Sequence, residues 1–371
     1  MTDLATFLDE LTVEGKLYEA LPDNALRCYA CGHRCLIKEG RRGICQVRFN
    51  EDGKLRVPWG YVGALQADPI EKKPFFHILP GVEALTFGML GCDFHCSFCQ
   101  NWVTSQAMRE PASDISLAYV RKLAPEEIIQ IGRKAGVSVV ASSYNEPLIT
   151  SEWAVEIFQQ ARQAGMQCVY ISNGNATPEV LEYLRPHIVG YKIDLKTMQD
   201  RQYRKLGGVL QNVLDTIRMA HGMGLWVEVV TLIVPGLNDS TEELMEAARF
   251  IASVSRDIPW HVTAFHPEYK MPDPSPTPPA TLLRAAEIGQ EAGLNFVYAG
   301  NLPGRVNQYE NTVCPNCQTI LIKRSSYVIQ EYNLTKEGAC PSCKVSIPGI
   351  WSKHPERVHT RGIGLPRPVF R

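Results

Sequence analysis

Residues 91–102 read GCDFHCSFCQNW and set Cys92, Cys96 and Cys99 in a CxxxCxxC array directly after the apolar run EALTFGML (83–90). Three thiolates within eight residues can wrap one face of an iron–sulfur cubane and leave its fourth iron without a protein ligand. A closed zinc site would want a fourth ligand close by, and His95, lodged between the cysteines, is awkwardly placed to supply one. Chance would put only about 0.01 such triples in a chain of this composition. The array therefore carries chemistry.

Downstream, apolar runs alternate with amphipathic stretches. The strand candidates are EALTFGML, VSVVASSY, QCVYISN, IVGYKIDL, LWVEVVTLIV, WHVTAFH and LNFVYAG, and between most of them lie helical segments such as SEWAVEIFQQARQAG and STEELMEAARFIASV. Short strands buried on both faces and alternating with helices indicate a parallel sheet. Seven strands fall short of a closed eight-stranded barrel, so the expected fold class is α/β, a partial (β/α) barrel. In such sheets the chemistry lies beyond the carboxyl ends of the strands, in the βα loops.

The 371 residues are 45% hydrophobic and 21% charged, with a formal net charge of −1. These are globular proportions, and the interspersed charges give no nucleic-acid or anionic-membrane footprint. No apolar run reaches the ~20 residues of a membrane helix. The opening MTDLATFLDELTVEGKLYEAL predicts an amphipathic helix, and without a basic start or cleavage site it is no signal peptide, so a cytoplasmic location is expected. Eleven of the twelve cysteines fall into three clusters, and in a reducing compartment clusters read as metal sites. Cys314-Pro-Asn-Cys317 and Cys340-Pro-Ser-Cys343 fit a tetrahedral zinc ribbon. Cys28, Cys31, Cys35 and Cys45 suit either zinc or an auxiliary iron–sulfur cluster, with His33 a possible substitute ligand. Cys168, alone in QCVYI, reads as a buried inert thiol. The expected organisation is an N-terminal helix and cysteine-rich segment over 1–80, the barrel over 81–303, a zinc-ribbon-like unit over 304–350 and a loosely held tail over 351–371.

The triple, the aromatic Phe98 before its last cysteine and its place after the first strand resemble the radical S-adenosylmethionine (SAM) superfamily. SYNEP (143–147), SNGN (172–175), YKIDLK (191–196), VTLIVPGLNDS (230–240) and AFHP (264–267) follow in the order used by its glycyl-radical-enzyme activating members. The resemblance implies a [4Fe-4S] cluster on Cys92, Cys96 and Cys99 that chelates SAM and cleaves it to a 5′-deoxyadenosyl radical, and a low-potential donor of the flavodoxin or ferredoxin type. It also implies that Glu146 receives the SAM amino group, that Lys196 reaches its carboxylate with Asp194 organising the site, and that Phe98 and His266 lie on the cofactor side. Tyr144-Asn145 stand where many relatives have Gly-Gly. Asn173 and Gly174 read either as turn chemistry or as a close backbone approach to SAM. Asp194 and Lys196, two apart on a strand, point to one face. With YVGALQADPIEKKP and the terminal cysteine segments, the chain further resembles the radical SAM member of the AmmeMemoRadiSam system, which implies Memo-like partner proteins. The expected activity is hydrogen abstraction from a protein or small-molecule substrate. Installing a glycyl radical on a partner enzyme is the alternative, and a non-catalytic zinc-ribbon scaffold is the rival from another class.

Overall fold

A computed structural model describes residues 4–110, 118, 120–358 and 364–369. All seven strands read from the apolar runs form one parallel array. They are β2 (Glu83–Gly88), β3 (Val139–Ser142), β4 (Gln167–Ser172), β5 (Gly190–Asp194), β6 (Trp226–Ile233), β7 (Trp260–Ala264) and β8 (Val297–Gly300). β1 (Ala64–Pro69) and β9 (Arg367–Pro368) extend the β2 edge antiparallel, giving the nine-stranded order β8-β7-β6-β5-β4-β3-β2-β1-β9. The result is the expected partial (β/α) barrel, with cysteine-rich units at both ends.

Helices α1 (Pro125–Ala135), α2 (Ser151–Gln163), α3 (Pro178–Leu184), α4 (Asp200–Leu206), α5 (Leu210–Gly222), α6 (Thr241–Val254) and α7 (Pro279–Glu291) lie along the chain between the strands. Their ends follow local chemistry. Thr177 Oγ1 accepts the Val180 N–H before α3, and Ser240 Oγ accepts that of Glu243 at the start of α6, each satisfying an orphan donor. Their apolar faces, such as Trp153, Ile157 and Phe158 of α2, are buried in the main core with the strands.

The opening segment departs from expectation. Helix covers only Leu4–Asp9, and Thr12–Glu14 and Tyr18–Ala20 are strands. Leu4 and Leu8 keep helical spacing, but β-branched Thr12-Val13 favour extended backbone. At Gly15 a Cβ would come within 2.5 Å of Val57, so the strand that Thr12–Glu14 forms against Lys54–Pro58 is followed by a close backbone approach. The tail is also held more firmly than expected. Arg367 pairs with Glu83 and its strand joins Gln66 and Ala67, while residues 359–363 and 370–371 of that tail lie outside the described residues. Among the described residues no helix is long and apolar enough to cross a membrane.

Candidate active site

The carboxyl ends of the parallel strands open into a cavity of about 360 Å³, within the range of small-molecule sites. Cys92, Cys96, Cys99 and Phe98 line one wall, and Glu146, Asn173, Lys192, Asp194 and Lys196 line the other. A larger, more open depression of about 660 Å³ lies at the opposite end of the strands, around Leu225 and Trp226. It lacks any cysteine, so the smaller cavity is where the donor chemistry converges.

The three thiols fit an open cluster. Cys92 and Cys96 are buried and Cys99 is half-buried. Burial pushes all three up, Cys96 to about 12 even with Lys196 drawing it down, so metal binding has to release their protons. Cys92 Sγ accepts the Phe94 N–H at 3.3 Å, and Cys99 Sγ lies 3.1 Å from Ser105 Oγ. His95 is exposed and packs on Gly207, where a Cβ would sit 2.7 Å from its Nδ1. It therefore faces away from the cavity. The donor set is three sulfurs on a wall, as an iron–sulfur cluster with one free position requires.

Glu146 ends the β3 loop with its carboxyl buried. Oε1 accepts from the Leu148 N–H (3.1 Å) and Ser172 Oγ (2.7 Å), and Oε2 from the Asn173 N–H (2.7 Å). Burial and then the charge of Asp93 push it up to about 8 against those three donors. On β5 and just past its end, Lys192, Asp194 and Lys196 alternate with the apolar Ile193 and Leu195. Their two-residue spacing aims all three polar side chains the same way. Asp194 pairs with Lys192 and with Lys196 Nζ (3.2 Å). Burial opposes both charges, but the two ammonium groups hold Asp194 down, and Asp194 with the Cys96 thiol holds Lys196 up.

Some expected residues are elsewhere. Gly174, at φ +79°, turns its missing side chain toward Ile193, where a Cβ would meet Cγ2 at 2.6 Å. The turn and packing account for it, and it does not line the cavity. His266 is exposed, with Nδ1 3.2 Å from Gln100 Nε2. Its neighbours clamp the cysteine loop from outside: the Lys270 N–H donates to Ser97 O (3.0 Å), and Tyr269 stacks on Trp102 at 5.4 Å.

Asp93 was missed, although it sits inside the cysteine array. Its fully buried carboxylate accepts from Asn173 Nδ2 (2.7 Å) and Asn175 Nδ2 (2.9 Å), tying the cysteine loop to the end of β4. Lys192 was missed too, although it stands two residues before Asp194 on the same strand. Tyr144 closes the strand candidate VSVVASSY, and Lys73 comes from a segment with no periodic signal; both also lie on the cavity wall, and neither was read as a site residue.

The sequence profile described as the Radical SAM superfamily matches residues 87–251, which span the cysteine triple, Glu146, Asn173 and Lys196. The uncharacterized protein MJ0808 of Methanocaldococcus jannaschii is 38% identical over 334 residues, 90% of this chain and 97% of that one. The chain belongs to the radical SAM superfamily. The pyruvate formate-lyase-activating enzyme of Staphylococcus epidermidis is 25% identical over 197 residues, half of this chain and 76% of that enzyme. Among solved structures, SuiB of Streptococcus suis covers 65% of this chain and 54% of its own, with 16% identity and a TM-score of 0.46. For a radical SAM protein the three-sulfur wall has a plain meaning, since the superfamily implies a [4Fe-4S] cluster and SAM.

Proposed function

We propose that this chain is a radical SAM oxidoreductase in which Cys92, Cys96 and Cys99 hold the [4Fe-4S] cluster and Glu146, Asp194 and Lys196 hold SAM, with Phe98 and Asn173 beside them. The convergence of three sulfurs, a carboxyl and a lysine on one cavity carries this reading. When bound, the cluster and SAM supply a 5′-deoxyadenosyl radical that removes hydrogen from a substrate. The chain's residues then have separate tasks. Lys196 is a half-buried cation suited to a carboxylate, and Asp194 keeps it charged and aimed. Glu146 is oriented by three donors and faces a site for an ammonium group. Phe98 and the strand residues Val230 and Leu232 give the cavity an apolar part of its lining, of the kind that shields a reactive intermediate from solvent.

Relatives named as activating enzymes favour a second reading, the installation of a glycyl radical on a partner enzyme. The resemblance to the AmmeMemoRadiSam member adds Memo-like partners and a flavodoxin- or ferredoxin-type donor to the proposal. At the C-terminal end, Cys314 Sγ lies 3.5 Å from Cys343 Sγ and Cys317 Sγ 3.6 Å from Cys340 Sγ. One zinc ion with Zn–S bonds of ~2.3 Å needs tetrahedral edges of about 3.8 Å, so a structural zinc fits there.

The test is 5′-deoxyadenosine release from SAM by the anaerobically reconstituted, dithionite-reduced protein. The wild type should form it and Cys96→Ala should not. Equal release by both, or none from a cluster-loaded wild type given a partner that carries its substrate, would reject the assignment.

A further inference from the structure

The chain contains three cysteine sets, and they differ in how closely their sulfurs gather. Among the described residues, Cys314, Cys317, Cys340 and Cys343 are the group whose ligand atoms all close to within 4.8 Å of one another. That is the spacing of a single tetrahedral ion. Cys92, Cys96 and Cys99, the set that the superfamily pairs with a cubane, are not so closed. A cubane spreads its thiolates over separate irons and holds them farther apart than one ion does.

Cys28, Cys31, Cys35 and Cys45 behave like the second set. No three of their sulfurs close to within 4.8 Å of one another, yet the backbone gathers them into one small unit. The Cys28 N–H donates to Cys35 O (3.0 Å), and the Ile44 N–H points at Cys35 Sγ (3.5 Å). A turn closed by the Arg34 N–H on Cys31 O (3.1 Å) links Cys31 to Cys35, with Arg34 at φ +44°. Cys28, Cys31 and Cys45 are each at most 6% exposed. Four buried or half-buried thiols without disulfide partners match the donor count of a complete cubane. His33 is engaged elsewhere, its Nε2 lying 3.2 Å from Asp93 O, and the Gly32 N–H donates to Asn175 O (2.7 Å). The unit therefore abuts the loop that carries Cys92 and the end of β4.

We propose that Cys28, Cys31, Cys35 and Cys45 bind a second, fully ligated [4Fe-4S] cluster, packed behind the Asp93 loop. This goes beyond the proposed SAM chemistry and does not depend on it.

The test reads metal in a protein that lacks the first set. The Cys92→Ser/Cys96→Ser/Cys99→Ser variant, purified and reconstituted without oxygen, should hold about four irons with a cubane Mössbauer signature and about one zinc per chain. No cubane iron, with either one or two zinc ions per chain, overturns the proposal. Should that variant fail to fold, Cys31→Ser/Cys35→Ser is compared with the wild type. Iron should then fall by about four per chain with zinc unchanged, whereas unchanged iron overturns the proposal. Because both arms count metal rather than turnover, failure of the SAM reading would leave this result standing.

Discussion

Tyr144 holds φ +69°, a left-handed conformation that costs a side chain with a Cβ roughly 1–2 kcal/mol. Glycine would adopt it freely. Here the strain is offset by contacts that glycine cannot make. The Tyr144 hydroxyl donates to Asp68 Oδ2 at 2.5 Å, and its ring lies 4.2 Å from the Lys73 ammonium. Asp68 also takes Lys73 Nζ at 2.7 Å and Lys72 Nζ at 2.9 Å. Burial opposes the Asp68 charge, but Lys73, Tyr144 and Lys72 together hold it down at about 2. A folded-state value below the unfolded one means that the unfolded chain binds the extra proton. The stabilisation is thus present above about pH 4 and is lost as pH falls toward 2, on the order of 2 kcal/mol in all. Asp68→Asn should be less stable than the wild type at pH 7 by urea denaturation. The gap should narrow as the pH is lowered from 5 to 3, and a constant gap across that range would refute the assignment.

At the scale of elements, a buried ion pair joins the N-terminal unit to the barrel beside the contacts of Gly32, His33 and Arg34. Arg48 meets the Glu152 carboxylate with two bonds, 2.7 and 2.8 Å, and donates to Ile149 O (3.0 Å). Glu152 opens α2, the helix that follows the Glu146 loop, and also accepts the Lys16 N–H at 3.2 Å. Removing one member of such a pair strands the other, so Arg48→Met should cost ~3–5 kcal/mol, and adding Glu152→Leu should recover most of it. Urea denaturation of the single and double variants decides this; additive losses would count against it. The pair was invisible in the sequence because its members are 104 positions apart and neither belongs to a motif. What could be read was local. Short apolar runs between amphipathic stretches marked all seven parallel strands, and alternation on β5 aimed Asp194 and Lys196 together. The N-terminal helix was overextended because Leu4 and Leu8 set a helical period that Thr12-Val13 and Gly15 then break. Asp93, Tyr144 and Lys73 act through partners on other elements, and spacing along the chain does not encode those meetings.

Across the whole molecule, the C-terminal four-cysteine unit shares its hydrophobic core with the barrel. Leu321, Ile322, Ile329 and Ile347 pack in one cluster with Phe76, Phe296 and Tyr298. Buried polar contacts cross the same boundary. Arg324 donates to Phe76 O (3.0 Å), Tyr298 Oη lies 2.9 Å from Thr312 Oγ1, and the His77 ring bridges Pro348 O and Tyr298 Oη, each at 2.7 Å. Burial holds His77 down at about 4, so at neutral pH it is a neutral ring that donates through one nitrogen and accepts through the other. A zinc ion here would therefore hold the barrel floor as well as its own two knuckles. Cys340→Ser isolates this effect, because a chelator would strip iron too. The variant should lose one zinc per chain and unfold in a single transition, lowered by a few kcal/mol or on the order of 5–10 °C. Calorimetry separates this from the other outcome, a small early melt followed by an unmoved main transition. That result would mean that the shared cluster survives without the metal and that the unit is an attachment rather than a part of the floor.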